Sequence, residues 1–493
     1  MTALQGSLPG WSRAWSRVRS ALRPSQLRRH LPSPDRRLAG AAVLGALFAG
    51  VAAVKMGSLA GRAAPLVIVL LAVAPALMVT VFARPQLGIA FIFLSIPIGS
   101  HAVPKLPMQI VQVLIVAVAG IVAVRRIGSR AGVLGWHPAL WWFFGLVVWA
   151  VVGLPSAANA TTGLRQTLLL LWALMLVAAV LGACRTREHV RLALAALLVV
   201  AVGIAATTPR SVGHVQTQFG ASVISAGRAQ SVFYQPNELG TFAAVAFLVA
   251  VGMALGGRTR RSRRVAAGVV VVVFLPLVAS LSRGAWIGVA FGFIYLAAAL
   301  PEARRVIAAL AVPALLVGVA FGTFAPSNPE VQVVSARAKS IVGERNPYDD
   351  RPHIWAEARR QMLLDPWTGQ GAGAFPIVAA RSGSETVTYY PEHAHNIWLT
   401  IGAELGIPAV VALFGLIGHV AFVTRRATRR ARQAGRPRDA VLIACLAAAL
   451  LAVVGQGLID YTLRAAVLLT VVSGVLGALL ALARLEALEE GAA

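Results

Sequence analysis

The chain has 493 residues, 58% of them hydrophobic and only 13% charged, with a mean hydropathy of +0.75 and a net charge of +27. Soluble domains carry about a quarter charged residues, and here the apolar residues come in blocks of roughly 17 to 25, the length an α-helix needs to cross a bilayer. A soluble fold is excluded, and the composition predicts an all-α polytopic membrane protein.

The positive charge does not point to nucleic acid. Basic residues gather in short stretches between apolar blocks: "RRHLPSPDRR" before the first block, then 124–130, 184–191, 258–264, 301–305 and 424–438. This is the bias of cytoplasmic loops. A nucleic-acid surface needs one continuous basic face.

In chain order, residues 1–37 form a basic arm. Leu8, Trp11, Trp15, Val18 and Leu22 recur in it at helical spacing with arginines between them. A surface helix on an anionic leaflet fits this pattern, and a disordered tail fits it equally. The arm is too long and too polar for a signal peptide. A transmembrane bundle is expected over 38–324, with blocks at 38–54, 64–82, 86–99, 108–124, 138–154, 167–183, 192–206, 238–256, 265–281, 285–300 and 306–324. Three more blocks follow at 397–423, 440–459 and 466–484, and 485–493 is left as a cytoplasmic tail. The total is about 12–14 spans. Block 86–99 is short, contains Pro97 and is open to a re-entrant reading. With the arm inside, alternation puts every basic cluster and the C-terminus inside. Cys184 and Cys445 are expected as free thiols, since their spacing suits neither a disulfide framework nor a metal site.

The outer side receives a loop over about 207–237 and one long polar segment, 325–396, roughly 70 residues where a few are usual. In that segment "DDRPHIWAEARRQMLLDP" reads as a helix, with Asp350 as cap, Pro352 in its first turn and Ile354, Trp355, Ala358 and Met362 on one face. "GQGAGAF" (369–375) then makes a Gly-rich turn, so 325–396 is expected to be a folded cap.

At its end stands "YYPEHAHNIWL", which holds two of the nine histidines in the chain. His393 and His395 fit three roles from position alone: proton transfer near neutral pH, metal binding with few ligands nearby, or a structural helix start. Several arginines also fall outside the positive-inside account: Arg228, Arg283, Arg165, Arg351 and Arg464. Guanidinium near the membrane is costly unless paired and suits bidentate phosphate contact. The structural alternatives are pairing with Glu238, Asp460 or Glu404, or snorkelling to headgroups. Asp460 and Arg464, four apart, are expected to meet on one helix face. No P-loop or dinucleotide fingerprint appears in its required strand–helix context.

Four stretches in order carry a resemblance: "GRAQSVFYQPNELG", "SLSRGAW", "RPHIWAEARRQMLLDPWTGQGAGAF" and "HAHNIWLTIGAELGIPA". The chain resembles the O-antigen ligase and polymerase superfamily, which transfers lipid-linked glycans on the outer face of the inner membrane. The ligase pattern has His-Asn, nine residues, then Gly-x-x-Gly; here Gly406 matches and Ala409 stands at the last Gly. The resemblance implies a metal-independent glycosyltransferase without cofactors. Its donor would be a glycan on undecaprenyl pyrophosphate, and its acceptor a glycan or lipid hydroxyl. It implies His395 as general base and Arg228 and Arg283 as pyrophosphate contacts, with His393, Asn396 and Arg351 assigned to substrate binding. Ligase and polymerase would need the same residues. A flippase or transporter of lipid-linked sugars would need a charged path between helices, and the polar residues lie on one side only.

Overall fold

The computed structural model describes residues 79–99, 110–129, 135–209, 228–301, 304–305, 307–308, 351–381 and 393–490. The basic arm, the block at 38–54, most of 64–82, nearly all of 306–324, Asp350 and much of the expected cap lie outside the described residues.

The fold is all-α, with no strand among the described residues. The helices are α1 (Pro85–Leu94), α2 (Ile96–Gly99), α3 (Ile110–Gly128), α4 (Leu140–Val152), α5 (Ala160–Ala183), α6 (Arg187–Thr207) and α7 (Pro236–Gly256). They continue with α8 (Arg260–Ala279), α9 (Arg283–Ala299), α10 (Arg351–Leu364), α11 (Phe375–Arg381), α12 (Ile397–Gln433), α13 (Pro437–Gln456) and α14 (Ala466–Glu490). Each apolar block that falls on described residues is helical. Eight of these helices are long and apolar enough to span a bilayer, while α1, α4 and α9 are shorter. The chain is therefore a polytopic membrane protein. Two units are distinguished, 1–85 with 121–133 and 86–120 with 134–493. In the first, Arg125 donates to the carbonyls of Phe82 and Ala83. Everything below concerns the second.

Polar residues set the helix starts. Asn159 accepts from the Thr162 N–H at 2.9 Å, Thr186 caps α6, and Thr259 with Ser262 forms a capping box on α8. Each cap satisfies an amide that apolar surroundings would leave orphaned. Helix α14 runs on to Glu490, past the expected end at 484, because its last acidic turn has partners. Arg187 meets Asp439 at 3.0 Å and Glu486 at 2.7 Å, Arg191 meets Asp439 at 2.7 Å, and Arg436 binds Glu486 and Glu489. Arg258 pairs with Glu188, and Arg438 donates to the Arg258 carbonyl. Three basic clusters (184–191, 258–264 and 424–438) thus meet at one end of the bundle, as alternating topology requires. Cys184 and Cys445 are buried free thiols.

Helices α7, α13 and α14 are buried on nearly all sides, as expected of central helices. Helix α9 approaches α13 through Gly284, Gly288 and Gly292, spaced four apart on one face. A methyl added at Gly288 would lie 2.3 Å from the Ala452 oxygen, and one at Gly292 3.1 Å from the Ala448 oxygen. Small residues at this spacing let membrane helices pack backbone to backbone. The stripe starts beside Arg283 and so fixes how near that arginine stands to the end of α13.

Gly288→Ala is expected to wedge α9 from α13 and to destabilise the protein by about 1–3 kcal/mol. Gly268→Ala on α8, where nothing lies within 4 Å, should be neutral or slightly stabilising. Thermal unfolding of the two purified variants checks this. Equal midpoints would show that the glycine stripe does not set the packing.

Candidate active site

The site forms where four chain segments meet at the end of the bundle opposite the ion-pair network. The first is the start of α12. Asn396 is its N-cap, with its side-chain oxygen accepting from the Trp398 and Leu399 amides at 2.9 and 3.1 Å. The second is the turn between α13 and α14, residues 457–465. Three hydrogen bonds strap one to the other. The Ile397 N–H donates to the Gly457 oxygen at 2.7 Å, Asn396 Nδ2 to the Leu458 oxygen at 2.9 Å, and His395 Nδ1 lies 3.0 Å from Asp460 Oδ1. Asn396, expected among the substrate contacts, has its side-chain oxygen engaged in the α12 cap and its side-chain amide in this strap.

Asp460 is the residue that sequence reasoning misplaced. The pairing of Asp460 with Arg464 on a helix face does not form, because α13 ends at Gln456 and a 3₁₀ turn occupies Thr462–Arg464. Without α-helical periodicity, the four-residue spacing carries no face. Asp460 Oδ1 accepts instead from His395 and from the Tyr461 N–H at 2.8 Å, and Oδ2 is buried with no hydrogen-bond partner among the described residues. Burial pushes the carboxyl's pKa upward. The hydrogen bond from His395, aided by the electrostatics of the two neighbouring imidazoles and the Tyr461 amide, overcomes this and holds it well below the usual carboxylate range. An ionised Asp460 is an acceptor only, so His395 Nδ1 donates to it, and in the neutral imidazole the lone pair then falls on Nε2.

His393 packs edge-on against His395, with ring centroids 4.5 Å apart, and against Tyr461 at 5.8 Å. Its Nε2 lies 3.8 Å from Asp460 Oδ1. Burial, with some help from the neighbouring His395, lowers its pKa to about 3, so at neutral pH this contact is not an ion pair. His393, His395 and Asp460 place one ligand atom each within 4.8 Å of one another, close enough to share a metal ion. The same atoms also satisfy each other as a hydrogen-bonded His–Asp pair.

The third segment is the loop before α7. Arg228 donates through Nε to the Ser280 oxygen at 3.0 Å and through Nη2 to Asn237 Oδ1 at 2.6 Å. The Ala229 N–H adds a bond to the Ala279 oxygen. These contacts lay the loop on the α8–α9 turn, where Ser282 caps α9 and Arg283 is its first residue. The fourth segment is the start of α10. A polar cavity of about 80 Å³ is lined by Arg228, Asn237, Arg283, Arg351 and Asp460. Three of the expected arginines, from three separate segments, therefore converge beside the carboxylate that holds His395. Arg165 and Arg464 do not line this cavity. They border a separate one of about 890 Å³ with His393, Tyr461, Tyr234 and Glu238. An apolar cavity of about 250 Å³ between α4, α5, α12, α13 and α14 also reaches Tyr461 and Trp398.

Among the described residues, three that are not glycine have positive φ: Ser231, Leu281 and His395. One lies in each of the turns that carry the first, second and fourth motif stretches. Such conformations cost about 1–3 kcal/mol each and cluster at functional sites.

The described residues 365–371 of the expected cap rest on a break in α12. Gly406 has φ 77° and Pro408 follows, and a methyl on Gly406 would lie 2.3 Å from the Trp367 oxygen. The Ile407 N–H donates to the Pro366 oxygen, while Gln370 and Gly371 N–H donate to the oxygens of Ala403 and Glu404. Helix α10 buries Ile354 and Ala358 as expected. Glu357 and Gln361 complete its buried face, rather than Trp355 and Met362. Glu357 is satisfied there by Arg360 and Gln361, which lets a carboxylate occupy a place where periodicity called for an apolar residue.

Comparison with known proteins adds one match, between residues 268–414 and the family model described as O-Antigen ligase. The matched segment contains Arg283, Arg351 and His395, while Arg228 and Asp460 reach the site only through the fold. No curated protein matches the chain. Residues 268–414 of this polytopic membrane protein thus match the O-antigen ligase family, the resemblance that the motifs led us to expect.

Proposed function

We propose that the protein is a membrane glycosyltransferase that moves a glycan from undecaprenyl pyrophosphate to an acceptor hydroxyl on the outer face of the inner membrane. The family match supports a ligase- or polymerase-like enzyme acting on lipid-linked glycans. One observation carries the finer reading: Arg228, Arg283 and Arg351 converge on a cavity lined also by Asp460, whose carboxylate holds His395. A diphosphate leaving group and a proton acceptor are what such a transfer requires.

In this reading the free Nε2 of His395 takes the proton of the acceptor hydroxyl. The oxygen attacks the anomeric carbon as the bond from that carbon to the pyrophosphate oxygen breaks. The electron pair leaves with the polyprenyl pyrophosphate, whose growing charge faces the three guanidinium groups. Asp460 is a positioning residue: it fixes the His395 tautomer and stabilises the imidazolium that forms. His393, neutral and packed on His395, fills the wall behind it. The apolar cavity next to Tyr461 suits part of a lipid chain. Because the leaving group is already activated, positioning and charge stabilisation suffice, and no cofactor is needed.

A polymerase would use the same residues with a second lipid-linked chain as acceptor. Product analysis with a lipid-linked oligosaccharide separates the two readings: a polymerase lengthens chains, and a ligase moves them to a new anchor. A transporter would yield no new glycosidic bond in detergent solution.

His395→Ala should lower turnover by about 10²–10⁴-fold with the fold intact. Unchanged transfer by that variant would remove the base assignment. Asp460→Asn should lower kcat by about 10²–10⁴-fold with little change in KM, because the amide no longer selects the tautomer. Arg283→Ala should cost about 10²-fold, with partial recovery in Arg283→Lys. An equal loss from Arg185→Ala, at the opposite end of the bundle, would argue against the clamp. Activity should survive exhaustive EDTA treatment. Strict dependence on a divalent ion would instead assign His393, His395 and Asp460 to a metal.

A further inference from the structure

Away from the site, at the end of the bundle that gathers the basic clusters, a groove of about 620 Å³ runs between α7 and α8. Its α8 wall is formed by Arg260, Arg263, Arg264, Ala267, Val270 and Val271. These residues fall at i, i+3, i+4, i+7, i+10 and i+11, a single stripe of the helix. The stripe changes character along the axis. It opens with three guanidinium groups in the first turn or so and continues as small and β-branched apolar residues for the rest of its length, about 16 Å at the helical rise. Val251, Ala254 and Leu255 of α7 close the other wall. Val271 is 72% exposed, so among the described residues the groove opens sideways, toward where lipid would lie.

The arginines of the stripe differ from their neighbours. At the same end Arg187, Arg191, Arg258, Arg430 and Arg436 are each matched to a carboxylate. Arg260, Arg263 and Arg264 have no ion pair or side-chain hydrogen bond among the described residues, and no acidic side chain lines the groove. Guanidinium groups bind phosphate oxygens in pairs, and basic pockets between membrane helices on this side suit anionic headgroups.

We propose that this groove binds one anionic phospholipid, with its phosphate on Arg260, Arg263 and Arg264 and an acyl chain along Ala267, Val270 and Val271. The polarity order of the stripe matches that of the lipid, headgroup first and hydrocarbon after. This is a binding site separate from the glycan chemistry, and it stands whether or not the transferase reading does.

The test uses the full chain, purified and depleted of lipid, then titrated with phosphatidylglycerol or phosphatidylcholine. Lipid retention is read by native mass spectrometry and the thermal midpoint in parallel. Three variants are compared with the parent: R260Q/R263Q/R264Q, A267W, and R425Q/R426Q/R429Q. The last removes the same charge from exposed positions at the same end of α12. The parent and the α12 triple variant should retain phosphatidylglycerol at least tenfold more tightly than phosphatidylcholine. The α8 triple variant should lose that preference, and A267W should lose it with every charge in place.

Equal losses in the two triple variants would reduce the effect to diffuse attraction and overturn the site. Retention by A267W at the parent's level would place the lipid elsewhere, and stabilisation by inorganic phosphate equal to that by phosphatidylglycerol would make this a free-anion site. Either result overturns the proposal. If the α8 triple variant unfolds in phosphatidylcholine alone, A267W decides.

Discussion

The site depends on one hydrogen bond, between His395 at the start of α12 and Asp460 in the turn between α13 and α14. A carboxylate this deeply buried is costly unless it is bonded. Here one oxygen collects the imidazole and the Tyr461 amide, and Asn396, capping α12 and donating to the Leu458 oxygen, holds the two segments in place around it. The contact fixes the histidine tautomer, orders the entry of α12 and sets the rear wall of the arginine-lined cavity. Backbone strain agrees with that placement. His395 accepts a left-handed conformation that an ordinary residue avoids, and the three bonds of the strap hold it there.

Arginines reach the same point by a different means. Arg228 hangs from the Ser280 carbonyl and Asn237, so its position is inherited from the α8–α9 turn. That turn is placed by the glycine stripe of α9 against α13, and α13 leads directly into Asp460. Packing in the apolar interior and geometry in the polar site are therefore one construction. Altering the interhelical distance at Gly288 moves Arg283 relative to Asp460 without touching either residue.

Much of this was legible in the sequence. Apolar blocks located the helices, because a bilayer-length run has few alternatives to an α-helix. Motif order pointed to His395, Arg228, Arg283 and Arg351, which the fold brings close to Asp460. What stayed hidden was non-local or aperiodic. Asp460 looked like half of a helical ion pair because the apolar block continued to 459, while the helix ends at Gln456 and releases the last residues into the turn. A lone carboxylate between two apolar blocks was itself a signal, since such residues in membrane segments mark functional sites. The spacing of Gly284, Gly288 and Gly292 was equally visible in "RGAWIGVAFG". The buried Glu357 could not be foreseen, because its partners Arg360 and Gln361 cancel a cost that periodicity alone assigns to it.

The one departure from the ligase pattern, Ala409 where glycine is expected, can now be weighed. The break in α12 needs a residue at Gly406 that tolerates positive φ and a backbone oxygen at van der Waals distance, and glycine alone meets both demands. Pro408 lacks an amide, and the Ile407 amide turns outward to the Pro366 oxygen, so the cap supplies the bond the helix gives up. Ala409 stands past this exchange, inside regular helix and fully buried. A second glycine at 409 would loosen the helix by about 1 kcal/mol and add no bond to the cap. The substitution therefore leaves intact the contact that joins the cap to α12, and through α12 to His395.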